Sequence, residues 1–73
     1  MTITICMRHR NSSTPVEIAP HKTLAKVLVL IGYPRAGHEY WRAWINDKQV
    51  PLSTPVGALE QPRVTITHVA AGL

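Results

Sequence analysis

The sequence predicts an α+β domain, a four- to five-stranded mixed sheet packed on one helix. Three observations predict it. Apolar and polar residues alternate at both ends of the chain, in Thr2-Ile3-Thr4-Ile5-Cys6-Met7 and in Arg63-Val64-Thr65-Ile66-Thr67-His68, and a period of two marks a half-buried strand. Between them, Leu24, Val27, Leu28 and Ile31 recur at three- and four-residue spacing, as one face of a helix does. The chain has 73 residues, enough for one domain, and a domain this small buries only roughly 60% of the surface its unfolded chain exposes.

The first strand places Ile3, Ile5 and Met7 on one face and Thr2, Thr4 and Cys6 on the other, with the β-branched bias of a pleated surface. Asn11-Ser12-Ser13-Thr14-Pro15 reads as a turn cluster. Val16-Glu17-Ile18-Ala19 then reads as a second short strand, forming an antiparallel hairpin with the first. Pro20 and His21 end it. A helix is expected from about Thr23 to Ile31, stopped by Gly32 and by Pro34 beyond it. Val29 and Leu30 broaden its apolar stripe, so the sheet should cover most of its length. Glu39 to Ile45 reads as the third strand, with Trp41, Ala43 and Ile45 inward and Tyr40, Arg42 and Trp44 outward. Asn46-Asp47 suits a tight turn because both residues tolerate left-handed backbone. Gln49-Val50 is a short fourth strand. Leu52 to Leu59 reads as an irregular link, and the last strand runs from Arg63 to about Val69.

A hairpin, a helix, a strand pair, a link and a final strand suit a sheet covered on one face by one helix. If the first and last strands are central neighbours they run parallel, and the helix supplies the crossover. That is the β-grasp arrangement, here spanning residues 1–73 as one domain with a flexible tail at about 70–73.

Composition narrows the function. An enclosed active site would compete with the core for a small stock of apolar side chains, so size disfavours an autonomous enzyme. Eight Lys and Arg against four acids leave a net charge of +4, which favours acidic partners or nucleic acid. The basic residues are scattered, with Arg8-His9-Arg10 the densest run, whereas nucleic-acid binders gather them on one face. Cys6 is the single cysteine, so no disulfide forms within the chain, as in a reducing compartment. No secretory leader opens the sequence, and its longest apolar run, Val27 to Ile31, is far too short for a bilayer. A cytoplasmic location away from membranes follows as the expectation. His9, His21, His38, His68 and Cys6 lack the short spacings of a zinc site, the acids are dispersed, and no glycine-rich phosphate loop appears, so neither metal nor cofactor is implied. Cys6 reads as a small, half-buried side chain.

Thr23-Leu24-Ala25-Lys26-Val27-Leu28, Ile31-Gly32-Tyr33-Pro34, and Ala43-Trp44-Ile45-Asn46-Asp47-Lys48-Gln49-Val50-Pro51 resemble the ubiquitin-like sulfur-carrier proteins of the ThiS/MoaD group. Glu60 to Ile66 and Val69-Ala70-Ala71-Gly72 continue the resemblance, which spans nearly the whole chain. The sequence is also similar to the ubiquitin-like N-terminal part of lambda-type phage tail assembly proteins. The first resemblance implies a non-enzymatic carrier or protein modifier served by an adenylating activating enzyme. Adenylation activates a terminal glycine carboxylate, which sulfur or an amine then attacks. Carriers of this group end in Gly-Gly, whereas this sequence reads Ala71-Gly72-Leu73. The implied attachment residue is therefore Gly72, after removal of Leu73. The second resemblance implies a protein–protein adaptor without tail chemistry.

The candidate partner-binding residues are Arg42, Trp44 and Val69 on the outer sheet face, with Ala70, Ala71 and Leu73 in the tail. An exposed Trp beside Arg and an aliphatic residue is the composition of an interface hot spot. His68 is expected at the rim of that face, where its titration would tune binding. An alternative of another class is a small nucleic-acid-binding module using Arg8, Arg10, Arg42 and Arg63.

Overall fold

A computed structural model describes residues 1–69, with the backbone alone for His9. The strands are β1 (Thr2–Met7), β2 (Ser12–Glu17), β3 (Trp41–Ile45), β4 (Lys48–Val50) and β5 (Arg63–His68), and helix α1 spans Leu24–Leu30. They form a small α+β domain with one five-stranded mixed sheet, ordered β2-β1-β5-β3-β4. β1 and β5 are central and parallel, and every other pairing is antiparallel. The arrangement is compatible with the β-grasp expected from the sequence. Among the described residues no helix is long and apolar enough to cross a membrane.

The inner face follows from the alternation. Ile3, Ile5 and Met7 of β1, Ala43 and Ile45 of β3, and Val64 and Ile66 of β5 are buried together with Leu24, Val27 and Leu28 of α1. Each large aliphatic side chain so buried contributes about 1.5–3 kcal/mol. Leu30 departs from expectation: it is 54% exposed. The helix makes only two turns, and its last turn carries Leu30 past the side facing the sheet.

Seven residues are too few for a stable isolated helix, so its ends matter. Thr23 accepts the Lys26 amide on its hydroxyl, the usual N-cap bond. The Leu24 and Ala25 amides donate to the carbonyls of Thr54 and Leu52 at 3.1 and 2.9 Å. At the other end Gly32, at φ +103°, lets its own amide reach Val29 and the Tyr33 amide reach Leu28, at 3.1 and 2.9 Å. Those two bonds are a Schellman motif.

The link expected to be irregular is therefore ordered. It caps the helix, makes a 3₁₀ turn at Val56–Ala58, and buries Val56 completely. Two amide bonds, Val56 to the Lys22 carbonyl and Gly57 to the Pro20 carbonyl, fasten it at 2.8 and 2.9 Å.

The second strand begins four residues before its expected start and ends at Glu17, and the stretch Ser12 to Pro15 is strand rather than turn. The hydrogen-bond pattern explains how Pro15 is tolerated. Met1 and Ile18 exchange two bonds of 2.8 Å. Antiparallel alternation then turns the Ile3–Val16, Ile5–Thr14 and Met7–Ser12 pairs inward along the ladder. Pro15, opposite Thr4, points its missing N–H to the open edge, where proline costs the ladder nothing. The reversal itself is made by a 3₁₀ turn at Arg8–Arg10 and by Asn11 at φ +50°.

Glu39 and Tyr40 also depart from expectation. They belong to a 3₁₀ turn over His38–Tyr40, and β3 starts at Trp41. The β3–β4 hairpin has the expected two-residue turn, with Asn46 and Asp47 at φ +50° and +67°. Two consecutive left-handed residues match the twist of the flanking strands.

Candidate partner-binding face

With α1 on one side, the sheet's other face carries small polar side chains together with Trp44, Arg42, Arg63 and Gln49. Register sets them in rows. Ser13, Cys6, Thr65, Trp44 and Gln49 lie opposite one another across all five strands. Thr4 lies beside Arg63 on one side of that row, and Thr67 beside Arg42 on the other. Trp44 and Arg42 thus occupy the outer face, as alternation predicts. Both are half-buried, which corrects the expectation of an exposed Trp at this position.

Trp44 is placed by two links. Its strand position opposes Thr65, and its indole Nε1–H donates to the Thr67 hydroxyl at 2.9 Å. Thr65 and Thr67 alternate with buried Val64 and Ile66, so both project to the outer side. The indole is therefore drawn across the outer surface of β5, with its one polar group satisfied. What it presents outward is apolar. Arg42 donates from Nη1 to the Glu39 and Trp41 carbonyls at 2.7 and 3.0 Å. Those bonds fix the guanidinium against the start of β3.

Val69 follows β5 and is 42% exposed, and Tyr40 is half-exposed at 50%. The Val69 amide donates to the Tyr40 carbonyl at 2.7 Å, so the end of β5 is fastened to the start of β3. The remaining candidates, Ala70, Ala71, Gly72 and Leu73, lie outside the described residues.

His68 is not at the rim of this face. It pairs with Trp41 and packs edge-on against that indole, with ring centroids 4.4 Å apart. Trp41 in turn meets Tyr33 at 4.9 Å and packs on the core. The period of two that puts Thr67 outside puts His68 on the helix side. Tyr40 is a further aromatic neighbour of His68, at 5.9 Å.

Cys6 is half-buried beside Thr65 and accepts the Ser13 hydroxyl at 3.6 Å. Among the described residues no three His, Cys, Asp or Glu side chains gather as metal ligands. A shallow cleft lies under β4 against Leu59, and another lies between β2 and the end of α1, beside Leu30 and Tyr33. Neither is lined by a histidine or cysteine. Arg8 and Arg10 lie at the hairpin end, where Arg10 sits 5.7 Å from the Tyr33 ring centroid. Their turn follows Met7, the partner of Ile66, so it meets β5 at its Thr67 end, the end where Arg42 lies, and Arg63 is at the other end.

Thr67 is the residue of the candidate face that alternation alone does not single out. Its role as acceptor depends on pairing with a strand 23 positions away from Trp44 in sequence. The one available signal is the Thr-Ile-Thr pattern at 65–67, which places two hydroxyls on the outer face. No protein family and no curated protein matches this chain.

Proposed function

We propose that this chain is a non-enzymatic ubiquitin-like β-grasp protein that acts by presenting its outer sheet face and C-terminal segment to a larger protein. In this reading it is a sulfur carrier or protein modifier. An adenylating activating enzyme docks on Arg42, Trp44 and Val69 and receives Ala70-Ala71-Gly72, with Gly72 bearing the activated carboxyl once Leu73 is removed. The observation that carries the reading is the Trp44 indole, held by Thr67 beside an anchored Arg42 on a face that α1 leaves open. The central position of β5 supports it further, because a docked partner would meet the face and the chain leading from it together.

Two measurements test it. Intact mass of the protein isolated from its native host should show loss of Leu73, with a thiocarboxylate or a conjugate at Gly72. Leu73 retained without an adduct rejects the carrier chemistry and leaves an adaptor like the phage-tail module. Separately, Trp44→Ala should abolish co-purification of the principal partner while leaving the circular dichroism spectrum native. Undiminished co-purification rejects the face itself.

A further inference from the structure

We infer that the outer face is matched to a protein surface carrying two carboxylates spaced on either side of an apolar side chain. The inference rests on the reading of this face as a docking surface and adds the partner's chemistry.

The face has an uneven charge pattern. β1, β3 and β5 carry no Asp or Glu anywhere along their length. They carry Arg42 and Arg63, one on each side of the Trp44 row. Among the described residues neither guanidinium has a carboxylate partner, and the ion pair there joins Met1 to Glu17 at the far edge of the sheet. Arg42 is held in place by backbone carbonyls, which orient it without neutralising it. A fixed, uncompensated guanidinium is preorganised for a carboxylate and favours bidentate pairing.

The spacing follows from the register. Arg42 pairs with Thr67 and Trp44 with Thr65, and Arg63 lies two residues before Thr65. Four residues of β5 and one inter-strand step separate the Cα atoms of Arg63 and Arg42 by roughly 14 Å. Trp44 lies near the midpoint. An extended segment of sequence Glu-Ser-Leu-Ser-Glu reproduces that pattern, because alternate residues share a face and its two carboxylates lie about 13 Å apart. The leucine then meets the indole while each carboxylate meets an arginine.

The test is an NMR titration of the full chain with that pentapeptide, capped at both ends. The controls are the rearranged Glu-Glu-Leu-Ser-Ser, the Lys-Ser-Leu-Ser-Lys analogue and an oligothymidylate. The matched peptide should shift the Trp44 indole N–H and the Thr65 and Thr67 amides, and bind more tightly than each control. Arg63→Gln should weaken binding about tenfold. Arg42→Gln should do the same, while Arg42→Lys retains part of the affinity. Affinity should fall as salt is raised.

Equal binding of the rearranged or lysine peptide overturns the inference, as does absence of shifts at millimolar matched peptide. Tighter binding of oligothymidylate assigns the face to nucleic acid and overturns it too. If Trp44→Ala abolishes capture of the native partner but Arg63→Gln does not, the docking face stands and the acidic match fails.

Discussion

The Trp44–Thr67 hydrogen bond should be measurable as a coupling energy. Thr67→Val removes the acceptor with almost no change of shape, and Trp44→Phe removes the donor but keeps an aromatic ring on the sheet. The bond is 2.9 Å long and half-buried. A bond of this kind contributes about 0.5–1.5 kcal/mol net, and water reaching the freed partner places the expected value in the lower part of that range. The double-mutant cycle should give a coupling of about 0.5–1 kcal/mol. Each single variant should lower the melting temperature by about 4–8 °C per kcal/mol lost, as for other domains of this size. Urea denaturation followed by far-ultraviolet circular dichroism is the suitable assay, because Trp44→Phe itself alters fluorescence. Thr67→Val should also weaken partner binding by up to about tenfold, since an unanchored side chain must be ordered on docking at about 0.5–1.5 kcal/mol. Additivity within about 0.3 kcal/mol would refute the reasoning, for then Thr67 does not hold the indole.

Three further outcomes are expected. Gly57→Ala should destabilise by about 1–3 kcal/mol, because the new Cβ would lie 2.8 Å from Pro20 Cβ and 3.0 Å from the Pro20 carbonyl. Gly32 has open space but φ +103°, so Gly32→Ala should cost about 1–2 kcal/mol by conformation alone. Gly32→Asn should then be milder than Gly32→Ala, whereas Gly57→Asn should be no better than Gly57→Ala; melting curves of the four variants check the contrast. The Thr2 hydroxyl, then the Met1 ammonium, hold the exposed Glu17 carboxyl below the usual glutamate range. Its stabilising contribution is present above the unfolded pKa of about 4.3 and is lost as pH falls through the lower folded value. Glu17→Gln should therefore lower the melting temperature at pH 7, converge with the parent in acid, and differ less in high salt. Asp47→Gly should stabilise by roughly 0.5–1 kcal/mol, since Asn-Gly is the favoured pair for this hairpin turn, and the same urea titration reads it.

Much of the fold was legible because its strands alternate and its helix stops are local. Ile3, Ile5 and Met7, and Val64 and Ile66, are inside as their period of two requires. Gly32 ends the helix through its own backbone conformation. What escaped was decided by pairing at a distance. Ser12 to Pro15 have turn-forming side chains, yet they are strand because β1 offers a ladder and leaves Pro15 on the open edge. Tyr40 continues the alternation of β3 in sequence but closes a 3₁₀ turn bonded to Gly37. Val56 looked like part of a structureless link and is core, because the link is drawn in by the free amides of a very short helix. The candidate face divides in the same way. Alternation placed Arg42 and Trp44 outside, while the Thr67 acceptor and the symmetric placement of the arginines depend on the β3–β5 register. His68 shows the sensitivity of such reasoning: one position along a strand separates the outer face from the aromatic cluster around Trp41.

The contrast between the two tryptophans leads from the fold to its use. Trp41 packs on the core and joins Tyr33 and His68, so its apolar surface is employed in folding. Trp44 lies on the opposite side of the same strand, away from α1, where Thr65 and Thr67 are its neighbours. A threonine at position 44 would suit a solvated sheet at least as well, since β-branched polar residues fit that environment. The indole is half-buried, and Thr67 holds it across β5. Restraint of that kind lowers the entropic cost of association. Flanking guanidiniums on a strand trio without acids then bias which surface can meet it. On the proposed reading, folding stability and docking fall to opposite faces of one sheet, and substitutions on the outer face should change the second with limited effect on the first.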